Sequence, residues 1–290
     1  MVKKRVIIKN RLWGIAMTIQ LKPIIQSIFL ISAVLSSSIT QASDNLQEIA
    51  SGEHRSEKNI ARNDFRHPVE TLNFFGIKNN MTVVEISPGG GWYTEILAPY
   101  LKDKGHYIAA GYDPASKINY FSRNAKKLAE KLAADQTNYG QTKLTVMQAP
   151  DKLNFADENS ADMVVSFRNT HNWMQSGHAE KVFAAIFKVI KPNGIFGLVQ
   201  HRAGISNPED TSGKLGYLKT EQVIQLAEKA GFRLIAQSEI NANAKDSKDY
   251  KDGVWTLPPS YRLKDKDRAK YKTIGESDRM TLKFVKPAAK

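Results

Sequence analysis

At 290 residues the chain is long enough for one α/β domain with additions, or for two small domains. Its 41% hydrophobic and 24% charged content is that of a globular protein with a sizeable core. It has no cysteine, which excludes disulfides, zinc–thiolate sites and cysteine nucleophiles. The net charge of +13 is scattered among acids rather than gathered into a stripe, so no nucleic-acid partner is expected.

The basic surplus is uneven. Lys3, Lys4, Arg5, Lys9, Arg11 and Lys22 fall in the first 42 residues, which hold no acid. Ile24 to Leu35 is an apolar block of about a dozen residues, too short for the ~20 that a membrane helix needs. Thr40 and Ala42 are small residues where a signal peptidase reads. The pattern predicts a signal peptide over 1–42, cleaved near Ala42, with export to the periplasm or medium and no membrane span afterwards. Met17 is an alternative start, and without use of the leader the protein would be cytoplasmic.

Residues 43–64 are polar and read as a loosely held N-terminal arm. Glu70 to Ile77 is a helix with Gly76 as its C-cap. A first strand follows at Thr82–Ile86. Then come Ser87-Pro88-Gly89-Gly90-Gly91 and an amphipathic helix from Tyr93 to Leu101. Strand, glycine turn and helix in that order build a nucleotide site in an open α/β sheet. A dinucleotide fingerprint needs a third glycine where Thr94 stands, so that frame fails. A tight turn with no ligand also fits these residues.

A second strand runs from His106 toward Asp113, which lies 22 residues after Gly91. An interval of ~20 is where such sites set a carboxylate on ribose hydroxyls, although an Asp before Pro114 can also simply form a turn. Asn119–Ala134 is helical by its Leu128/Leu132 spacing. Lys143–Met147 is a third strand, leading to Pro150-Asp151. Ala161–Phe167 is a fourth, apolar enough to be covered on both faces. It opens into a loop rich in chemistry, Arg168-Asn169-Thr170-His171-Asn172-Trp173.

Ala179–Ile190 is a strongly amphipathic helix, stopped by Lys191-Pro192-Asn193-Gly194. A fifth strand, Ile195–Gln200, ends at His201-Arg202. Gly204–Gly216 is a candidate lid. A helix then starts with Thr220 as N-cap and closes at Gly231. Phe232–Ile240 and Thr281–Val285 are the last two strands, separated by an insertion over 241–279.

Counted from the acid, Glu85-Ile86-Ser87-Pro88-Gly89-Gly90-Gly91 resembles the first motif of class I S-adenosylmethionine-dependent methyltransferases, with Ser87 for the first glycine. "VFAAIFKVIKPNGIFGLVQHR" is similar to the helix, K-P-G-G turn and strand of the same superfamily, with Asn193 for the first glycine. The set "RHPVETLNFFGIK", "FRNTHNW" and "EINAN…GVWTLPPS…GESDRM" looks like a bacterial family of predicted methyltransferases carrying export leaders.

The resemblance implies an α/β, Rossmann-like seven-stranded sheet, mostly parallel with the last strand antiparallel, spanning 65–290. It implies S-adenosyl-L-methionine as cofactor, with Glu85, Ser87, Gly89, Gly91, Asp113 and Asp151 as candidate ligands. Asp151 sits one step late for that role, behind Pro150. Methyl transfer by in-line displacement needs chiefly positioning, and a base only if the acceptor loses a proton. His171 and His201, each at a strand exit, are the candidate catalytic residues, His171 preferred. Arg168, Asn169 and Trp173 are candidate acceptor contacts, with Trp92 and Tyr93 as a further aromatic wall. The expected acceptor is small, uncharged or amphipathic, even lipid-like. No metal site is expected from the histidine spacing. Two other readings stand beside this one: an exported, non-catalytic binding protein on the same fold, and a same-fold transferase using a related cofactor such as an aminopropyl donor.

Overall fold

The computed structural model describes residues 45–204 and 212–288. The expected leader, and residues 205–211 of the candidate lid, lie outside the described residues.

Seven strands form one sheet in the order β3-β2-β1-β4-β5-β7-β6. They are β1 (Thr82–Ile86), β2 (His106–Gly111), β3 (Lys143–Val146), β4 (Ala161–Phe167), β5 (Ile190–His201), β6 (Arg233–Ser238) and β7 (Arg279–Val285). β1 to β5 pair in parallel, and β7 runs antiparallel to both β5 and β6. This is the expected mostly parallel sheet with the last strand reversed.

Strand alternation divides the core between the two faces of the sheet. Val84, Ile86, Val164, Phe196 and Leu198 pack with Val182, Phe183 and Ile186 of the helix Ala179–Val189. Val83, Val165 and Val199 turn to the opposite face, with Phe75, Ile96, Leu97 and Leu128. Every parallel strand but the edge one is therefore buried on both sides, as the near-continuous apolar runs foretold.

Several expectations change. The arm is not loose: residues 45–50 are helical, and Leu46 and Ala50 sit in the core. Arg55 reaches Glu95 of the helix Thr94–Leu101 at 3.2 Å, and Lys131 of the helix Asn119–Ala134 pairs with the same carboxylate. Tertiary ion pairing holds what a polar composition left unexplained. The polar stretch after β4 is a helix from Thr170 to Gln175 rather than a loop. Lys219, not Thr220, is the N-cap of the helix Thr220–Lys229. β5 begins at Ile190, because Ile190 pairs with Ala161 before the Lys191–Gly194 turn shifts the register. Within that turn Asn193 is left-handed (φ 65°), which is why the similar motif has glycine there.

Candidate active site

β1, β4 and β5 are adjacent and parallel, so their carboxyl ends share one sheet edge. There the segments after each strand enclose a cleft of about 620 Å³. Ligands of open α/β sheets bind at such an edge. The edge gains a fourth wall from β7. Because β7 is antiparallel, its first residue, Arg279, lies opposite His201 at the end of β5. The insertion before β7 therefore arrives at the same edge, bringing Trp255, Pro258, Glu276 and Ser277 to the cleft. A larger cavity of about 710 Å³ lies beside β2 and β3 under the helix Asn119–Ala134. Its lining has no histidine or carboxylate, and only Tyr112 is shared with the cleft.

The glycine turn divides its labour. Gly89 is left-handed (φ 61°), and neither it nor Gly90 has any atom within 4 Å of where a Cβ would stand. Both face the cleft, and Gly90 is a contact that the motif count passed over. Gly91 (φ 80°) does not line it. A Cβ there would come within 3.1 Å of Leu128 and Lys131, so Gly91 seats the turn against the next helix. Ser87 is left-handed as well (φ 50°), the conformation for which the motif's first glycine is suited.

Glu85 forms the floor. Its carboxylate accepts hydrogen bonds from the Tyr107 hydroxyl at 2.5 Å and the Thr94 hydroxyl at 3.1 Å. Burial nevertheless pushes it up to about 7. Asn169 is a clip rather than a free contact: its Nδ2 lies 3.2 to 3.3 Å from the carbonyls of Ile86, Ser87 and Phe167, and so ties β4's exit to that of β1. Arg168 precedes it with a left-handed backbone (φ 63°) and turns into the cleft.

Both histidines line the cleft, their rings 5.5 Å apart. His171 Nδ1 lies 3.3 to 3.4 Å from the Gln200 carboxamide. His201 Nδ1 is 2.5 Å from the Ser277 hydroxyl. Burial, with the neighbouring His171 and Arg168 adding to it, holds His201 well below the usual histidine range, so its ring is neutral at pH 7. At the described end of the candidate lid, Gly213 backs onto His171: a Cβ there would stand 2.7 Å from the His171 carbonyl.

Besides Gly91, three more expected contacts fall elsewhere. Trp173 is a core residue, edge-on to Phe183 at 6.1 Å, because the helix it sits on turns it away from the cleft. Trp255 from the insertion lines the cleft instead, 5.9 Å from His171, and Tyr93 stacks on Phe167 at 3.5 Å. Asp113 stands past the end of β2 but not in the lining; Lys152 holds its carboxylate at 2.5 Å and keeps it below the usual carboxylate range. Asp151 is exposed on the turn after β3, away from the cleft. Sequence reasoning also missed Arg62 and Glu276, since nothing in their local pattern says that they meet. Among the described residues no cluster of His, Asp or Glu is placed to hold a metal, and no helix is long and apolar enough to cross a membrane.

Comparison with known proteins agrees with this architecture. The family described as "Methyltransferase domain" matches residues 84–198, from β1 into β5. No curated protein matches the sequence. A solved S-adenosylmethionine-dependent methyltransferase from Aquifex aeolicus is similar at 16% identity and TM-score 0.52, covering 78% of this chain and 93% of its own. A putative sarcosine dimethylglycine methyltransferase from Galdieria sulphuraria matches at 13% identity and TM-score 0.52, over 80% of this chain and 91% of its own. The [4+2]-cyclase SpnF matches at 13% identity and TM-score 0.54, over 82% of this chain and 86% of its own. Likeness at such identities shows the fold alone, and the cyclase is a reminder that one fold hosts several chemistries. Residues 84–198 thus match a methyltransferase domain model, and they lie within a Rossmann-like seven-stranded sheet of the kind found in these solved structures.

Proposed function

We propose that the protein is an S-adenosylmethionine-dependent methyltransferase acting on a small acceptor bound in the cleft at the carboxyl edge of β1, β4 and β5. The observation that carries this reading is the bare backbone at Gly89 and Gly90, where a Cβ would project into open cleft. Turns that only change chain direction do not need such a wall; a ligand lying against the backbone does. The cofactor would lie on that wall, above Glu85 and beside the carbonyls that Asn169 holds in place. Asp113 is suited to the ribose hydroxyls if it exchanges Lys152 for them, and the lysine is half exposed, so that exchange costs little.

S-adenosylmethionine, when bound, supplies a methyl group on a positive sulfur that needs no further activation. The chain's work is then to orient and to exclude water. Tyr93 stacked on Phe167, together with Trp255, gives aromatic walls; the Asn169 clip fixes the strand exits. Where the acceptor must shed a proton, His171 would receive it, its ring steadied against Gln200. Burial disfavours the protonated ring of His201.

Calorimetry with S-adenosylhomocysteine tests the reading. The wild type is expected to bind, and Gly90→Val, placed where the backbone is not left-handed, to lose binding while keeping its circular dichroism spectrum. Absence of binding by the wild type at millimolar concentration would favour a binding protein that has kept the fold without the cofactor.

A further inference from the structure

Arg62, Arg66 and Arg168 all line the cleft, and one carboxylate, that of Glu276, serves the group. Arg62 Nε donates to Glu276 Oε1 at 2.7 Å and Arg66 Nε to Oε2 at 3.1 Å. Arg279 behind them adds a third bond to Oε2 at 3.4 Å. These contacts use the Nε of each guanidinium. One terminal nitrogen of each is left over: Arg66 Nη1 and Arg62 Nη2 are buried without a hydrogen-bond partner. Among the described residues, no carboxylate oxygen lies within 4 Å of the Arg168 guanidinium.

The charge does not balance. Four guanidinium groups surround Glu276, and the other carboxylate in the lining, Glu85, is only partly ionised near neutrality because burial raises it to about 7. Burial and the neighbouring Arg168 push Arg66 down to about 9, still cationic at neutral pH. Buried donors and buried charge are costly unless something answers them. Guanidinium forks match the oxygen pair of a carboxylate or phosphate.

We propose that Arg62, Arg66 and Arg168 form an oxyanion subsite for a carboxylate or phosphate group on the methyl acceptor. The word acceptor rests on the cofactor reading above; the anion site itself does not. The cofactor's own charge favours a second, anionic ligand. S-adenosylmethionine carries a sulfonium and an ammonium against a single carboxylate, so it brings net positive charge into a cleft already in surplus. Its carboxylate could answer one arginine and would leave the others unmet. An acceptor anion answers them, and a basic cleft also draws such a ligand in from solution. Arg168 lies three residues before His171, so the subsite adjoins the histidine end of the cleft. An acceptor with an acidic head thus replaces the uncharged one suggested by the aromatic residues alone.

Inorganic phosphate is the probe, titrated calorimetrically into the full chain with and without saturating S-adenosylhomocysteine. Phosphate is expected to bind the wild type in both cases. Arg66→Met and Arg168→Met should each weaken it at least tenfold. Arg168→Met is the cleaner variant, because it leaves every bond to Glu276 in place. Equal phosphate affinity in wild type and Arg168→Met would overturn the subsite. Strict competition between phosphate and S-adenosylhomocysteine would overturn the acceptor assignment, giving the arginines to the cofactor's carboxylate. Arginine-dependent phosphate binding by a protein that ignores S-adenosylhomocysteine would sustain the anion site and remove the cofactor reading instead.

Discussion

Glu85 is where burial and function meet most directly. In an unfolded chain its carboxyl titrates near 4.5; in the native protein burial raises it to about 7. The native state therefore binds the extra proton between those values, and its stability falls as pH rises through that window. The full effect corresponds to roughly 3 kcal/mol above pH 7. Glu85→Gln keeps the shape without the charge and is expected to flatten this decline, gaining on the wild type in urea melts from pH 5 to pH 8. Parallel declines in both proteins would contradict the burial argument. His171 carries the second residue-scale prediction. Truncation to Ala should slow methyl transfer by ~10²-fold or more while S-adenosylhomocysteine affinity is unchanged, if the acceptor loses a proton to this ring. Equal turnover would leave a purely positional mechanism. Neither histidine's role is legible from spacing alone. That they face each other across 5.5 Å follows from β4 and β5 being neighbours.

At the scale of elements, Glu95 is the joint between the arm and the domain. It lies at the start of the helix Thr94–Leu101, and its carboxylate takes Arg55 and Asn59 from the arm and Lys131 from the helix Asn119–Ala134. Arg55 and Glu95 are buried, so removing Arg55 takes away one of the carboxylate's two cationic partners and leaves Lys131 and Asn59 to answer it. Arg55→Met is expected to lower stability by about 2 kcal/mol in a denaturant titration, the loss of a buried charge-assisted hydrogen bond. Arg55→Met combined with Glu95→Gln should lose less than the sum of the two single changes, the sign of direct coupling. The arm also carries Arg62 into the cleft, and Arg66 follows just past its end, so its docking is part of building the site. An element read as loose from polar composition is thus fixed by a partner 36 to 40 residues away.

For the whole molecule, Leu46 and Ala50, which follow the expected cleavage site, belong to the core. A protein starting at Ser43 is therefore expected to unfold in one cooperative transition and to retain the cleft's ligands, while N-terminal sequencing of the native protein from fractionated cells should begin at Ser43. A mature species beginning at Met1 or Met17 would contradict export. The sheet order explains why so distant a part of the chain completes the cleft. Reversal of β7 returns residues 276–278 to the edge where β5 ends, and Arg202 donates to Asp278 there at 3.0 Å.

By itself the sequence determined the inner parallel strands, because each is buried on both faces and must be an apolar run. It determined the glycine turn at 87–91, because backbone that takes a left-handed φ or a close approach selects residues locally. It also pointed to β4's exit, where Arg168, Asn169 and His171 are concentrated. Tertiary structure alone decided which of these residues share a space. Trp173 was lost to the core because helix phase, set by packing on Phe183, turned it inward. Trp255, Glu276, Arg62 and Arg66 were gained because strand reversal and helix docking join segments that no local pattern connects. Periodicity reports which face of an element is apolar; it carries no record of which other element will cover the polar one. For that reason the nucleotide-type turn was readable in one line of residues, while the charge of the cleft, assembled from Arg62, Arg66, Arg168 and Glu276, was not.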